Sequence, residues 1–88
     1  MNVIFRRSFL KDLKKIRQQA LRREIEAVIM QLENAHTWTE IPTIKHLTSA
    51  GPYYRIRIGD YRMGITISEE TVTIVRFLHR RDIYRYFP

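Results

Sequence analysis

The strongest constraint on the fold of this chain is the Gly59-Asp60 pair between two alternating segments. On both sides of the pair, every second residue is apolar or aromatic: Tyr54, Ile56, Ile58, Tyr61, Met63, Ile65 and Ile67. A period of two is typical of a strand with one buried face, and a two-residue turn with glycine favours a hairpin, because glycine adopts positive φ without strain. The sequence therefore predicts a β-hairpin over residues 53–67.

A two-residue turn also fixes which side chains face each other across the hairpin. On the apolar face, the predicted pairs are Ile58 with Tyr61, Ile56 with Met63, and Tyr54 with Ile65. On the other face, Arg57 lies opposite Arg62, and Arg55 lies opposite Gly64. Opposed like charges destabilise a strand pair by a few tenths to about 1 kcal/mol. This arrangement indicates an anionic ligand, or alternatively an ordinary solvated face whose arginines splay into water.

The remaining periodicities predict a first strand, two helices and a last strand. A short strand over Asn2–Arg7 precedes Ser8, which is a candidate helix N-cap. Apolar residues at helical spacing then predict a short helix and a longer helix that ends at Asn34: Phe9, Leu13 and Ile16 for the first, and Leu21, Ile25, Val28, Ile29 and Leu32 for the second. The β-branched run Thr71–Leu78 predicts an inner strand buried on both faces.

These elements predict an α+β fold in a single domain, residues 1–88. The sheet is expected to be small and antiparallel, with about four strands, and the N-terminal helical hairpin packs on it. A chain of 88 residues supports one modest core, so any functional site must lie at its surface.

Charge narrows the classes of partner. The formal net charge is +7, and 12 of the 16 basic residues are arginine, whose planar fork suits phosphate contacts. With no cysteine, disulfide and thiolate-metal sites are excluded. No signal-peptide pattern or membrane-spanning run is present, so we expect a cytoplasmic protein without a membrane partner.

Two segments of the sequence resemble a known family. The string Tyr54–Arg62 (YRIRIGDYR) and the tail His79–Arg85 (HRRDIYR) resemble RelE-type toxins of the RelE/ParE superfamily from bacterial toxin–antitoxin modules. The resemblance implies a microbial-RNase-like fold and an endonuclease that cleaves mRNA in the ribosomal A site by attack of the 2′-hydroxyl. The three scattered histidines and isolated carboxylates show no metal-ligand spacing, so we expect a metal-independent reaction without a cofactor.

The resemblance assigns a catalytic set: Arg55, Arg57, Arg62, Arg80 and Tyr84. Three further cations are expected to bind substrate: Lys45, Arg81 and Arg85. Attack by a 2′-hydroxyl creates a phosphorane with additional negative charge, which preorganised guanidinium groups stabilise. Tyr84 is expected to stack on a nucleobase, as aromatic side chains do on single-stranded RNA. The alternative for Tyr84 is a packing role at the edge of the sheet.

The general base is the point at which this chain departs from the family pattern. Relatives often carry lysine at one or both strand positions, whereas Arg55 and Arg57 do not deprotonate in proteins. His79 is the candidate base, because imidazole titrates near neutrality, and His46 is a weaker one. The alternative is that His79 only forms hydrogen bonds within the tail.

Three functions remain open at this stage. The first is the ribosome-dependent endonuclease, with the ribosomal A site and mRNA as partners. The second is a ParE-like inhibitor of DNA gyrase without nuclease activity, and the third is an inactive module that binds RNA or antitoxin. The family also implies a cognate antitoxin, with a toxin–antitoxin heterotetramer among the assemblies expected.

Overall fold

The computed structural model describes residues 1–47 and 51–88. Its elements in chain order are β1 (Asn2–Phe5), α1 (Arg7–Lys14), α2 (Gln19–Asn34), a 3-10 turn (Trp38–Glu40), β2 (Ile44–His46), β3 (Tyr53–Ile58), β4 (Tyr61–Ser68), β5 (Thr71–His79) and α3 (Ile83–Tyr86). The strands form one sheet in the order β1-β5-β4-β3-β2. The predicted α+β class is confirmed, with α1 and α2 packed on one face of the sheet.

The central hairpin has the predicted register. Ile58 pairs with Tyr61, Ile56 with Met63, and Arg57 with Arg62. Gly59 has a φ of +57°, the conformation for which glycine was expected in the turn. Local sequence determines this hairpin, because a two-residue turn leaves no freedom in the pairing.

The sheet differs from the prediction in strand number and direction. It has five strands instead of about four, because β2 pairs with β3 as a three-residue strand that is too short to show alternation. The sheet is also mixed, since β1 runs parallel to β5. No tight turn joins these two strands, so nothing in the local sequence sets their relative direction.

β5 is an inner strand, as predicted, but only one of its faces is fully buried. Val72, Ile74 and Phe77 are at most 1% exposed, whereas Thr71 and Thr73 are half-buried. The alternation shifts near the middle of the strand, because Ile65 pairs with Ile74 while Gly64 pairs with Arg76. One extra residue is therefore accommodated in β5 as a bulge.

The helical hairpin covers the apolar face of the sheet with the predicted stripes. Phe9, Ile16, Ile25 and Leu32 are buried in the core, and α2 ends at Asn34 as expected. Ser8 is not the N-cap of α1, which is Arg6. The hydroxyl of Ser8 instead donates a hydrogen bond to the carbonyl oxygen of Val75, at 2.6 Å.

α1 continues the edge of the sheet beyond the end of β1. Where β1 no longer pairs with β5, the Asp12 carboxylate accepts a hydrogen bond from the Phe77 N–H at 2.9 Å. Together with the bond from Ser8 to Val75, this contact satisfies backbone groups of β5 that would otherwise face solvent or the core without a partner. Side chains of α1 thus take over the role of a neighbouring strand.

Within residues 1–47 and 51–88, no helix has the length and hydropathy needed to cross a membrane.

Candidate nucleic-acid interface

The face of the sheet opposite α1 and α2, called the open face below, carries rows of basic side chains. In one row, Lys45 pairs with Arg55, Arg55 with Gly64, and Gly64 with Arg76. In the next row, Arg57 pairs with Arg62. Directly paired residues project to the same side of a sheet, so the structure brings together Lys45, Arg55, Arg57 and Arg62 of the predicted site.

Within the opposed pair, Arg62 forms hydrogen bonds to the turn. Arg62 Nη1 donates to the carbonyl oxygens of Gly59 and Tyr61, both at 2.9 Å. Arg57 is exposed. Neither guanidinium forms an ion pair with any acidic side chain in the described part of the chain. The positive charge of the pair is therefore not neutralised by the protein.

Arg55 has a hydrogen-bonding capacity that the protein leaves partly unused. Its side chain is half-buried, and its Nη1 donates to the carbonyl oxygen of Thr43 at 3.1 Å. Its Nε is buried and has no hydrogen-bond partner among residues 1–47 and 51–88. An unpaired buried donor on a cation is costly, and an anion bound at the open face is one way to satisfy it.

The C-terminal tail returns across the open face and covers Gly64. A Cβ placed on Gly64 would lie 2.7 Å from the Phe87 ring, and Phe87 also makes an edge contact with Tyr53 at 5.8 Å between centroids. The sequence led us to expect an anionic ligand, or a solvated face, at the arrangement that includes Gly64. The Phe87 ring occupies that place instead, because a residue without a side chain lets the ring lie directly on the strand.

The tail presents its polar and aromatic residues outward. Ile83 and Phe87 are buried, whereas Tyr84 is 58% exposed. The packing role considered for Tyr84 is therefore excluded, and its ring is accessible for stacking. Arg80, Arg81 and Arg85 are exposed, and the Arg80 N–H donates to the Asp60 carbonyl oxygen at 2.8 Å. That bond joins the start of the tail to the turn between β3 and β4.

His79 does not lie with the arginines. It pairs with Tyr61, whose ring stacks on Phe77, so its side chain projects to the helix-covered face. There it lines a small cavity of about 200 Å³ together with Asp12, Lys15 and Asp82. His79 Nδ1 accepts a hydrogen bond from the Arg81 N–H at 3.2 Å, so the neutral ring carries its proton on Nε2. In this arrangement the neutral His79 ring offers an Nε2–H that can donate a hydrogen bond, while the nitrogen that could accept a proton is already occupied.

The weaker candidate His46 is also occupied by other contacts. Its ring stacks on Tyr54 at 4.4 Å between centroids, and its Nε2 lies 2.9 Å from the Gly51 carbonyl oxygen.

Among the described residues, no group of three histidine or acidic side chains could hold a metal ion. The chemistry that this surface offers is the binding of phosphate by guanidinium groups.

The sequence analysis missed the role of Asp12 and Arg76. Arg76 Nε and Nη2 donate to the two carboxylate oxygens of Asp12, at 2.8 and 3.1 Å. Asp12 is 5% exposed. One signal was present: Asp12 falls within the apolar stripe between Phe9 and Leu13, where an unpaired carboxylate would be costly.

Comparison with known proteins identifies a matching family and a relative similar over its full length. Residues 3–84 match the family described as ParE toxin of type II toxin–antitoxin systems. The chain is 38% identical to Toxin RelE3 of Methanocaldococcus jannaschii over 89 aligned residues, which span all of both proteins.

Two solved structures extend the similarity to three dimensions. The toxin in the RelB–RelE complex from Methanococcus jannaschii superposes with a TM-score of 0.80 at 36% identity, over 97% of this chain and 99% of that one. The RelBE2 complex from Mycobacterium tuberculosis gives a TM-score of 0.62 at 27% identity, over 90% and 96% of the two chains.

Proposed function

The chain belongs to the RelE/ParE superfamily of type II toxins, and on that premise we propose that it is a ribosome-dependent mRNA endonuclease. The observation that carries the proposal is that Arg55, Arg57 and Arg62 on the open face form no ion pair with any acidic side chain in the described part of the chain. In the ribosomal A site, a 2′-hydroxyl loses its proton and attacks the adjacent phosphate, and the P–O5′ bond breaks. The products are a 2′,3′-cyclic phosphate and a protonated 5′-hydroxyl, and loss of intact mRNA inhibits translation.

Charge stabilisation is the main catalytic contribution in this mechanism. The phosphorane carries more negative charge than the ground-state phosphate, so fixed guanidinium groups favour it over the substrate. Arg55, Arg57 and Arg62 supply this charge from the open face, and Arg80 from the start of the tail. Tyr84 stacks on a nucleobase and holds the RNA bent for in-line attack. Lys45, Arg81 and Arg85 contact neighbouring phosphates.

Proton transfer is the most demanding part of the proposal, because guanidinium groups do not act as bases. His79 remains the candidate, although in the tautomer that its hydrogen bond from the Arg81 N–H favours, the free nitrogen Nε2 already carries a proton. A base role requires His79 to give up that bond. The dependence of the cleavage rate on pH, compared between the protein and His79→Gln, separates these cases: identical profiles would remove His79 from the mechanism.

The test is primer extension on mRNA from a cell-free translation reaction, with and without ribosomes. We expect cuts at defined codon positions that require ribosomes and that fade in Arg62→Ala and in Tyr84→Ala. Arg23→Ala removes an exposed cation from α2 and is the matched control, which should cut normally. Intact mRNA under active translation would contradict the proposal.

A second function is favoured by the family match itself, since the matching family is described as the ParE toxins. An arginine-only site without a base is also compatible with an inhibitor of DNA gyrase. A supercoiling assay with stoichiometric protein tests this alternative, and unaffected supercoiling would exclude it.

We further propose a cognate antitoxin as the physiological partner. The similar toxins were solved in complexes with RelB, and the net charge of +7 suits an acidic segment laid across the open face. Co-expression with the neighbouring gene should abolish toxicity and yield a complex on gel filtration, whose mass shows whether it is a heterotetramer. Undiminished toxicity would contradict this pairing.

A further inference from the structure

The helix that carries Tyr84 cannot hold its own conformation. α3 is four residues long, and a helix of one turn is unstable in water without tertiary contacts. Two apolar anchors hold it to the open face: Ile83 is fully buried, and Phe87, just after the helix, lies on Gly64. Both anchors lie along one line, so they fix the height of the helix above the sheet but leave its rotation about that line poorly determined.

A third contact, off that line, involves an aromatic ring and a guanidinium. The Cζ atom of Arg76 lies 5.4 Å from the centroid of the Tyr86 ring. Tyr86 is 54% exposed, so burial alone does not hold its ring in place. The face of a guanidinium attracts the face of an aromatic ring, and this attraction depends on the orientation of the cation.

Asp12, a residue of α1, holds the Arg76 guanidinium in one orientation. The Asp12 carboxylate accepts two hydrogen bonds from Arg76 and a third from the Phe77 N–H, so the carboxylate cannot rotate. The hydrogen bonds to the paired carboxylate also raise the pKa of Arg76 above its usual value. α1 thereby determines where the guanidinium face lies, and Tyr86 packs against that face.

We propose that Arg76 is a positioning residue for Tyr84: held by Asp12, it fixes the rotation of α3 through Tyr86 and so directs Tyr84 towards the substrate. This inference rests on the proposed function for the role of Tyr84. Arg76 itself does not touch the reacting phosphate. Its contribution is geometric, because the carboxylate neutralises its charge while the flat face remains available.

A purely structural role for Arg76 would affect all activities in proportion to the folded fraction. A positioning role instead lowers the turnover of bound substrate and leaves substrate binding unchanged, since the phosphate-binding arginines stay in place. It also tolerates phenylalanine at position 86, because an aromatic face is retained, and does not tolerate leucine.

The kinetic test measures single-turnover cleavage on programmed ribosomes for Tyr86→Leu, Tyr86→Phe and Arg76→Lys. We expect the maximal rate to fall about tenfold in Tyr86→Leu and Arg76→Lys, with the half-saturating ribosome concentration within about twofold, because small misplacements act on the chemical step. Tyr86→Phe should cleave at close to the normal rate. The double variant Tyr86→Leu/Arg76→Lys should lose no more than either single variant, because the two residues act as one unit.

A second readout does not depend on ribosomes. The Phe87 N–H donates to the Ile83 carbonyl oxygen at 2.8 Å, and hydrogen exchange at this amide reports on the order of α3. We expect Tyr86→Leu and Arg76→Lys to reduce its protection several-fold, while amides of the core strands keep theirs. Lys14→Arg, on the exposed side of α1, is the control for exchanging one cation for another and should change neither readout.

The outcomes separate this inference from the proposed function. Unchanged protection and unchanged cleavage in Tyr86→Leu would overturn the positioning role while the endonuclease stands. A Tyr86→Leu variant that binds ribosomes more weakly but cleaves at the normal maximal rate would also overturn it. Reduced protection in a protein that never cleaves RNA would support the contact and overturn the proposed function.

Discussion

Arginines of the same sheet have opposite electrostatic environments in β5 and in the β3–β4 hairpin. At β5, Arg76 meets a buried carboxylate with two hydrogen bonds. In the hairpin, Arg62 meets only carbonyl oxygens, and Arg57 lies opposite it with the same charge. The first arrangement neutralises the charge and joins three elements. The second keeps the charge at the surface, at some cost to the stability of the strand pair.

This difference separates arginines that build the fold from arginines that are available to a ligand. Removing the acid that pairs with a structural arginine lowers the protein's free energy of unfolding. Removing a ligand-binding arginine has little effect on that free energy. The contrast also explains why only one of these sets resembled a functional motif in the sequence.

The largest effect is expected from Asp12→Ala. This substitution leaves the Arg76 guanidinium without its carboxylate and the Phe77 N–H without its acceptor, both at the edge of the core. Breaking one partner of a buried ion pair costs about 3 kcal/mol. Urea unfolding should show this loss in the free energy of unfolding. The control is Glu26→Ala, which removes an exposed carboxylate. A loss below about 0.5 kcal/mol would mean that the pair is not structural.

Arg62→Ala and Arg57→Ala should show the reverse pattern. Their removal relieves the opposed charges, so the free energy of unfolding should stay within about 0.5 kcal/mol of the original or rise by a few tenths. Cleavage in the translation assay should fall about 100-fold, the usual effect of losing one transition-state donor. A clear loss of stability with normal cleavage would place these residues in the same class as Arg76.

Gly64→Ala tests how the tail covers the open face. The new methyl group would meet the Phe87 ring at 2.7 Å, and overpacking of this kind costs about 1–3 kcal/mol. The cost should nearly vanish when Gly64→Ala is made in a Phe87→Ala protein. Gly59→Ala is the contrasting control, because its cost arises from a φ of +57° and should be the same in both backgrounds.

The smallest effect concerns a carboxylate that is satisfied by backbone instead of arginine. Hydrogen bonds from the Thr37 N–H and then the His36 N–H lower the pKa of Glu40 below its usual value of 4.5. A depressed folded-state pKa adds stability above the usual pKa, and this stability is lost as pH falls through the folded pKa. The midpoint temperature of thermal unfolding should therefore fall slightly more steeply between pH 7 and pH 3 for the unsubstituted protein than for Glu40→Gln. Parallel curves would contradict this.

The parts of the fold that the sequence predicted are those governed by local rules. The β3–β4 register followed from a two-residue turn, and the apolar stripes of α1 and α2 followed from helical spacing. The parallel pairing of β1 with β5 could not be predicted, because the two strands lie far apart in the chain. The three-residue strand β2 carries too little alternation to be recognised.

The candidate site was predictable to a similar degree. The basic residues of the hairpin were assigned to one surface because strand alternation places them there. The candidate base His79 was named from its chemistry alone, and its pairing with Tyr61 places its side chain on the helix-covered face, away from the hairpin arginines. The contact between Phe87 and Gly64 joins residues distant in sequence, and no local pattern reveals such packing.

The inward position of Asp12 affects the electrostatics of α1 and the beginning of α2. Residues 6–23 contain eight lysines and arginines and a single acid, and that acid faces the interior. The outer side of this segment is therefore purely cationic. At physiological ionic strength, charges act over about 8 Å, which is short compared with the 32 × 27 × 23 Å dimensions of the molecule. A polyanion arriving by diffusion meets attraction on both sides of the protein, so capture is fast but does not select the productive orientation.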